Sequence, residues 1–192
     1  MDSTVYDNYT KILKTMLNEK RYHHSLCVAD EAKRLAEKYS GNADKCFLAG
    51  LLHDITKNQP ESEHLKIFKT FGIILNDVEE KAPKLWHAMS GEAYLKNVIG
   101  IEDGEILDAV RYHTTAKSNM SLTAKILYLA DFTSADRDYP DVDVIRRLVN
   151  ESLESAFEYA LAYSIRDLVD NSKAVHTDTV AAYNEVILNG GK

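Results

Sequence analysis

The sequence has few of the residues that break helices. It contains three prolines and eight glycines among 192 residues, and its apolar residues recur mainly at spacings of three and four rather than two. Such spacing places apolar side chains on one face of a helix. No repeat, low-complexity segment or long linker offers a domain boundary. We therefore predict an all-α helical bundle that forms a single domain over residues 1–192.

Cysteines and long apolar runs are scarce as well. Cys27 and Cys46 are too few for a disulfide framework, and both lie in apolar helical contexts, so we predict that they are reduced core residues. No stretch approaches the roughly 18 consecutive apolar residues of a membrane-spanning helix. The acidic, polar start MDSTVYDNYT lacks the pattern of a secretory signal. These features predict a cytoplasmic protein without a membrane partner.

The sequence has fewer basic than acidic residues. The chain has 23 Lys and Arg residues against 30 Asp and Glu residues, for a formal net charge of −7. Broad electrostatic binding to nucleic acid requires a basic face, so we expect no nucleic-acid partner. A small anionic substrate is compatible with this charge if a metal ion or a few local basic residues offset it. The composition leaves a homodimer open.

The apolar periodicity divides the chain into a series of helices. One pattern covers residues 25–39, and Gly41 marks its end. Asn42 can cap the next helix, which runs to His53 and Asp54 and is followed by a loop at 57–60. The segment 77–81 is too short to assign. Further helices are predicted at about 61–71, 84–98, 102–113, 121–132, 142–170 with one break, and 177–188.

Several of the seven histidines lie near helix ends in apolar surroundings. LCVA follows His24, AGLL precedes His53 and Asp54, and ILYLA precedes Asp131. Ionisable groups beside such runs are costly to bury unless they are paired or bound to metal, and His and Asp suit divalent Fe, Mn, Co or Zn. Taken singly, a histidine on an apolar helix is more often a core or surface residue than a ligand. The His-Asp dipeptide alone is equally unspecific.

In combination, these segments resemble a known family. The ordered series of His24, LLHDITK (51–57) and LADFTSADR (129–137) resembles the H…HD…D pattern of the HD superfamily of metal-dependent phosphohydrolases. LWHAMSGE (85–92) and ILDAVRYHTTAK (106–117) resemble the additional histidine segments of the bacterial HD-domain symmetrical bis(5'-nucleosyl)-tetraphosphatases. Those enzymes hydrolyse diadenosine tetraphosphate to two ADP. The resemblance extends from about residue 9 to residue 187.

The resemblance implies a metal centre. The primary ligands that it implies are His24, His53, Asp54 and Asp131. It also implies that His87 and His113 complete a second site, so that two divalent transition-metal ions are bound, with iron as the first candidate and Mn, Co or Zn as alternatives. If one ion is bound, His87 and His113 would orient the ligands or the substrate instead.

The resemblance also implies the residues that act on the substrate. Lys57 and Arg137 match basic positions near the phosphates, where they would bind substrate and, with Asp54, take part in catalysis. His113 would also contact the substrate. From the residues alone, Lys57 and Arg137 would more often be solvated loop charges. Other HD activities, such as a 5'-nucleotidase or a cyclic-dinucleotide phosphodiesterase, stay open, as does a non-catalytic nucleotide-binding HD module.

Some positions depart from the family pattern or have no role in it. The family has Glu at the position of Ser134, Gly-Pro at the positions of Ala88 and Met89, and often Gly at the position of Ala116. These departures concern substrate preference and loop shape more than the metal ligands, which are all retained. The remaining histidines carry separate expectations: we predict that His23 and His64 are surface residues, and that His176 lies at a helix cap, with a nucleotide contact as the alternative.

Overall fold

The computed structural model of the protein describes residues 3–190, which form helices and connecting loops without a β-strand in that range. This confirms the all-α, single-domain prediction. A 3₁₀ turn at Pro83–Leu85 precedes α6, and a π-helical turn at Leu95–Ile99 follows it. The α-helices are α1 (Ser3–Met16), α2 (Glu19–Lys38), α3 (Ala43–Leu52), α4 (Glu61–Phe71), α5 (Asp77–Lys81), α6 (Trp86–Tyr94), α7 (Gly104–Tyr112), α8 (Leu122–Thr133), α9 (Val142–Glu151), α10 (Leu153–Asp170) and α11 (Thr177–Gly190).

Helix α2 begins earlier than the apolar pattern predicts. The side chain of Asn18 accepts a hydrogen bond from the backbone N–H of Arg21, so the helix starts at Glu19 rather than at residue 25. The first turn is polar, so the apolar spacing does not indicate it. Because the helix begins at Glu19, Arg21 and His24 lie within one helix, three residues apart and on neighbouring positions of its surface.

The other helix ends are set by local chemistry. The residue with left-handed backbone after α2 is Ser40, at φ 56°, while Gly41 donates its N–H to the carbonyl of Ala36. The predicted break in 142–170 falls at Ser152, whose side chain caps α10. Segment 77–81 forms α5 because Asn76 and Glu79 complete a capping box.

Helices α2, α3, α7 and α8 form the centre of the bundle. Helix α2 packs against α3 and α8, and α7 packs against α3, α6 and α8. The approach of α2 to α3 depends on Gly50, since a Cβ atom there would lie 2.8 Å from Cα of Ala29. This contact brings the residues that follow α3, His53 and Asp54, beside His24 on α2. The core therefore positions the predicted ligands.

The cysteines differ in their surroundings. Both are free thiols, and Cys46 is fully buried, as predicted. Cys27 is only partly buried, and its sulfur lies 3.5 Å from Nε2 of His23, so the prediction that Cys27 is a core residue is wrong. Cys27 lies on a different side of α2 from the core residues Val28 and Ala32. Among the described residues, no helix combines the length and the apolar character needed to cross a membrane.

Candidate metal centre

Side chains from separate helices form two overlapping groups of candidate ligands. His24, His53 and Asp131 form one group, and His53, Asp54 and His113 form the other. Within each group the candidate ligand atoms all lie within 4.8 Å of one another. His53 belongs to both groups. The arrangement can hold one ion, or two ions that share a neighbourhood.

His87 joins these residues from α6. Its Nε2 lies 3.1 Å from Oδ1 of Asp54 and 3.1 Å from Nε2 of His113. All six predicted metal ligands therefore come together in one place, and we call them the His–Asp cluster. Asp131 is partly exposed and the other five side chains are buried. The cluster consists of His24, His53, Asp54, His87, His113 and Asp131.

Backbone carbonyls orient three of the histidines. The Nδ1 atom of each pairs with the carbonyl oxygen three residues earlier, at 2.7 Å for His53 and His113 and at 2.8 Å for His87. Since a carbonyl can only accept, Nδ1 carries the proton in each ring. Nε2 is then left with its lone pair directed at the cluster. This is the tautomer that a metal-binding imidazole requires.

His24 is oriented by a side chain instead. Its Nδ1 lies 2.8 Å from Oδ2 of Asp136, and the hydroxyl of Ser134 donates to the other oxygen of that carboxylate at 2.8 Å. A carboxylate in this position fixes the ring and makes Nε2 a better ligand. Ser134, which stands where the family pattern has Glu, therefore supports the cluster through Asp136.

The two carboxylates of the cluster lie among imidazole and guanidinium groups. Burial opposes the ionisation of Asp54, but the surrounding imidazoles, His53 first, outweigh it and hold its pKa well below the usual range. Burial likewise opposes the ionisation of Asp131, while a hydrogen bond with His24 and the charge of Arg137 hold its pKa well below the usual range. Both groups are therefore carboxylates at neutral pH, the form that binds metal.

Two buried atoms of the cluster lack hydrogen-bond partners. Nε2 of His53 and Oδ1 of Asp54 are both inaccessible to solvent, and no described group offers either one a hydrogen bond. Oδ1 of Asp54 has His87 and His113 within 3.1 and 3.6 Å, but without hydrogen-bond geometry. Unpartnered buried polar atoms are rare and costly. A divalent cation would satisfy both, so the donor set fits a metal ion.

Lys57 and Arg137 lie at opposite carboxylates of the cluster. Nζ of Lys57 is 3.1 Å from Nε2 of His87 and 4.0 Å from Oδ1 of Asp54, and burial lowers its pKa. Arg137 pairs with the carboxylate of Asp131. Neither side chain is therefore a solvated loop charge, the alternative that the residues alone left open.

Each of these two cations lines a cavity. The Lys57 cavity has a volume of about 480 Å³ and is also lined by His87 and Lys84. The Arg137 cavity has a volume of about 240 Å³, and its other lining residues are Asp131, Phe132, Tyr139 and Tyr163. A cavity with at least one basic lining residue therefore lies on the Asp54 side of the cluster and another on the Asp131 side.

The prediction that His64 is a surface residue is wrong. His64 is 5% exposed, its Nδ1 forms a 2.7 Å hydrogen bond with the hydroxyl of Ser90, and its ring packs against Trp86. The same face of α4 carries Phe68, which also packs on Trp86. His64 therefore faces α6, which also carries His87, and it lines the Lys57 cavity. His23 is exposed, as predicted.

His176 lies outside the cluster and begins α11. Its Nδ1 accepts a hydrogen bond from the backbone N–H of Asp178 at 3.1 Å, as a capping group does, and its Nε2 lies 3.2 Å from the amide of Asn76. The predicted position at a helix cap is confirmed. His176 is buried and touches a third cavity, described below.

Two residues of the site are missing from the sequence-based predictions. Arg21 donates to Oδ2 of Asp54 at 2.7 Å, and Asp136 orients His24. Signals for both are present in the sequence. Arg21 precedes His24 by three residues on one helix, and Asp136 directly precedes Arg137 in the motif LADFTSADR. Motif matching favours residues with a known role and passes over the residues that hold them in place.

The remaining departures from the family pattern have visible consequences for the backbone. Ala116 adopts φ 55°, a left-handed conformation that favours glycine, and this explains why a glycine suits that position. Ala88 and Met89 are buried within the first turn of α6, beside His87. These substitutions change the local surroundings of the cluster while all six of its side chains are retained.

Comparisons with known proteins agree with this geometry. A family model described as the HD domain matches residues 21–136. The chain belongs to the HD domain family. This HD-type hydrolase is 33% identical over 178 residues to the symmetrical bis(5'-nucleosyl)-tetraphosphatase of Halalkalibacterium halodurans, with coverage of 93% of this chain and 95% of the relative. It is 31% identical to the protein of that name from Bacillus subtilis, with 91% and 94% coverage.

A solved structure supports the fold of the HD-type hydrolase. It is a crystal structure of a "predicted HD superfamily hydrolase involved in NAD metabolism" from Clostridium acetobutylicum, with a TM-score of 0.92 and 37% sequence identity. The match covers 96% of this chain and 97% of the other. The family resemblance and the helical fold inferred from the sequence are confirmed. The HD domain family is metal-dependent, and the His–Asp cluster supplies the groups that such an enzyme needs.

Proposed function

We propose that this HD-type hydrolase cleaves diadenosine tetraphosphate at its central phosphoanhydride to give two ADP. The observation that carries the proposal is the pair of overlapping ligand groups that share His53, with a cation-lined cavity on either side. A dinucleoside polyphosphate is anionic at its centre and carries a nucleoside at each end. The relatives named symmetrical bis(5'-nucleosyl)-tetraphosphatase agree with this substrate class.

The six residues of the His–Asp cluster would hold one or two divalent ions. When bound, such ions supply Lewis-acid activation of water and neutralise charge on the phosphates. This accounts for how a chain of net charge −7 accepts a polyphosphate. We keep iron as the first candidate and Mn, Co or Zn as alternatives, since all suit His and Asp ligands.

The basic residues would bind and orient the polyphosphate. Lys57, beside Asp54, would hold oxygens of one phosphoryl group, and Arg137, beside Asp131, would hold oxygens on the other side of the scissile bond. Arg21 fixes Asp54 in place by its 2.7 Å hydrogen bond. In the Arg137 cavity, Tyr139 and Tyr163 offer aromatic faces on which a base can stack.

Product analysis in ¹⁸O-labelled water tests the proposed reaction. Attack of water on the second phosphorus breaks its bond to the central bridging oxygen, and that oxygen leaves with the other ADP. We expect two ADP per substrate, with a single solvent oxygen in the terminal phosphate of one of them. AMP plus ATP as initial products would refute symmetrical cleavage. Hydrolysis of nucleoside monophosphates alone would favour the 5'-nucleotidase alternative, and nucleotide binding without any product would favour the non-catalytic module.

A further inference from the structure

A third cavity lies beside the Lys57 cavity and shares two residues with it. Its volume is about 490 Å³, within the range of roughly 300 to 1,000 Å³ typical of small-molecule sites. We call it the Thr114 cavity. Pro83 and Lys84 line both cavities, and none of the six cluster residues lines this one. Its apolar wall consists of Val78, Ala82, Pro83, Leu85, Leu168 and Ala174.

Thr114, which lines the cavity, has a polar atom without a partner. Oγ1 of Thr114 is inaccessible to solvent, and no described group forms a hydrogen bond with it. The neighbouring polar groups are already engaged, since Thr179 donates to the carbonyl of Thr115 at 2.7 Å and His176 caps α11. A buried hydroxyl without a partner is unfavourable. Rotation of the Thr114 side chain toward the cavity would let a bound molecule form a hydrogen bond with Oγ1 and would remove that cost.

The rim of the Thr114 cavity is basic. Lys81, Lys84 and Lys173 line it, and within the described part of the chain no carboxylate forms an ion pair with any of these three ammonium groups. Three unpaired lysines around one opening are notable in a chain of net charge −7. They attract an anion to a cavity whose wall is apolar. The ligand that fits has an apolar, hydrogen-bonding body and an anionic end.

We propose that the Thr114 cavity binds the nucleoside of one ADP half of the substrate. The base lies against the apolar wall with a hydrogen bond to Thr114, and the phosphates pass Lys84 into the Lys57 cavity and so reach the cluster. This inference rests on the proposed function for the direction of the phosphates. It explains why one particular phosphoanhydride bond would be cut. Lys84, which lines both cavities, would fix where the phosphate chain begins and so which phosphorus reaches the cluster.

A matched pair of ligands tests this assignment by calorimetry on the metal-loaded enzyme. The ligand α,β-methylene-ADP carries the nucleoside, and methylenediphosphonate is the same non-hydrolysable phosphate analogue without it. Ala174, exposed on the rim of the cavity, is replaced by Trp to fill the space. We expect Ala174→Trp to raise the Kd for α,β-methylene-ADP at least about tenfold, or about 1.4 kcal/mol. The Kd for methylenediphosphonate should stay unchanged.

Ala181→Trp is the control, because Ala181 is an exposed alanine on α11 that does not line the cavity. It should leave both Kd values unchanged. Unaltered binding of α,β-methylene-ADP to Ala174→Trp would overturn the assignment, as would equal weakening of both ligands or no binding to the parent protein. If diadenosine tetraphosphate is cut normally while Ala174→Trp has no effect, the cavity assignment fails and the reaction stands. If Ala174→Trp weakens the binding of α,β-methylene-ADP but the parent protein does not cut diadenosine tetraphosphate, the cavity assignment stands and the proposed reaction fails.

A second variant gives an answer even if Ala174→Trp does not fold. Thr114→Val keeps the shape of the side chain and removes the hydroxyl. If the hydroxyl stabilised the fold, Thr114→Val would have a lower Tm than the parent protein. Since the hydroxyl has no partner, its removal should leave the Tm equal or higher. We expect an undiminished Tm together with a severalfold weaker Kd for α,β-methylene-ADP. A lower Tm with unchanged affinity would overturn the hydrogen bond to the nucleoside.

Discussion

At the scale of single residues, the site depends on groups whose neighbours have already fixed their chemical state. His53 and Asp54 follow one another in the chain, yet each presents one unpartnered buried atom to the same centre. Both side chains can reach this centre because they follow directly after the end of α3, where the chain leaves the helix. In mid-helix, consecutive side chains would point about 100° apart. The position of the pair at a helix end therefore allows both side chains to reach the candidate metal site.

Substitution of these two residues should abolish turnover. Asp54→Asn and His53→Ala each remove a candidate ligand, so we expect loss of diadenosine tetraphosphate cleavage by at least about a thousandfold together with loss of bound metal. His23→Ala is the matched control, because His23 is exposed and neighbours the cluster only in sequence. Turnover that persists in a folded, metal-free Asp54→Asn protein would remove the cluster from the mechanism.

His64 should make the fold sensitive to acid. Burial lowers the pKa of His64 below its usual 6.5. The unfolded chain therefore takes up the proton first as the pH falls, so the stabilising contribution is present above pH 6.5 and is lost as the pH falls through the folded-state pKa. His64→Asn can keep the bond to Ser90 without titrating. Urea unfolding at pH 7.5 and 5.5 should show a smaller loss of stability for this variant than for the parent.

Equal acid sensitivity in the two proteins would contradict this assignment of His64. The same residue shows what the sequence conceals. In the segment ESEHLKIFKTF the histidine stands among charged residues and suggests a surface position. Its burial results from the packing of α4 against α6, a contact between segments far apart in the chain. Pattern and composition carry little information about such contacts.

At the scale of helices, the bundle places its ligands through the close approach of α2 and α3. Gly50 is the residue that permits it, because a Cβ atom would lie 2.8 Å from Cα of Ala29 and 2.9 Å from the carbonyl oxygen of Val28. Both obstacles are backbone atoms, which cannot turn aside as a side chain does. The short distance between α2 and α3, and with it the closeness of His24 and His53, therefore depends on the absence of a side chain at Gly50.

Gly50→Ala should separate the two helices. We expect a loss of about 3 kcal/mol in the free energy of unfolding, at the upper end of overpacking effects, together with weaker metal retention. Gly104→Ala is the control, since nothing lies within 4 Å of a Cβ atom there and it occupies the first turn of α7. Urea unfolding measures both. A Gly50→Ala protein as stable as Gly104→Ala would show that the helices approach less closely than described.

Most helices could be predicted from the sequence, and their exceptions have identifiable causes. The segment 61–71 matches α4 because its apolar positions and its boundaries agree. Helix α2 was predicted too short because its first turn is polar and its start depends on Asn18. The six cluster residues could be named in advance from a combined motif. The partners that orient them, such as Asp136, required coordinates, because the motif LADFTSADR contains Asp136 but does not indicate its hydrogen bond with a histidine more than 100 residues away.

At the scale of the whole molecule, the candidate metal centre lies where the four central helices and α6 meet, so metal binding and folding would depend on the same contacts. The cluster draws its residues from positions 24 to 131 of the chain. An unfolded chain cannot bring these side chains together. Binding of metal to the folded state alone stabilises it by about 2.7 kcal/mol when the ion is present at about a hundred times its Kd.

Removal of metal should therefore lower the Tm of the whole protein. We expect chelation of anaerobically purified enzyme to shift the thermal transition downward by several degrees, and readdition of Fe(II) or Mn(II) to reverse the shift. Scanning calorimetry combined with metal analysis provides the measurement. Identical melting with and without chelator, in protein that carries less than about a tenth of an equivalent of transition metal, would contradict the metal-centre prediction itself.

The way in which the four histidines are oriented has a consequence for how this enzyme can change. Three rings take their orientation from backbone carbonyls, which substitution does not remove. His24 alone among the four depends on a side chain, the carboxylate of Asp136. A change at that position should alter metal affinity by about 10- to 100-fold while leaving the other three rings as they are. Of the four candidate histidine ligands, three are therefore oriented by the backbone and one by a side chain that a single mutation can replace. Substitution of Asp136 is thus a direct route by which the histidine set can adapt to a different metal supply.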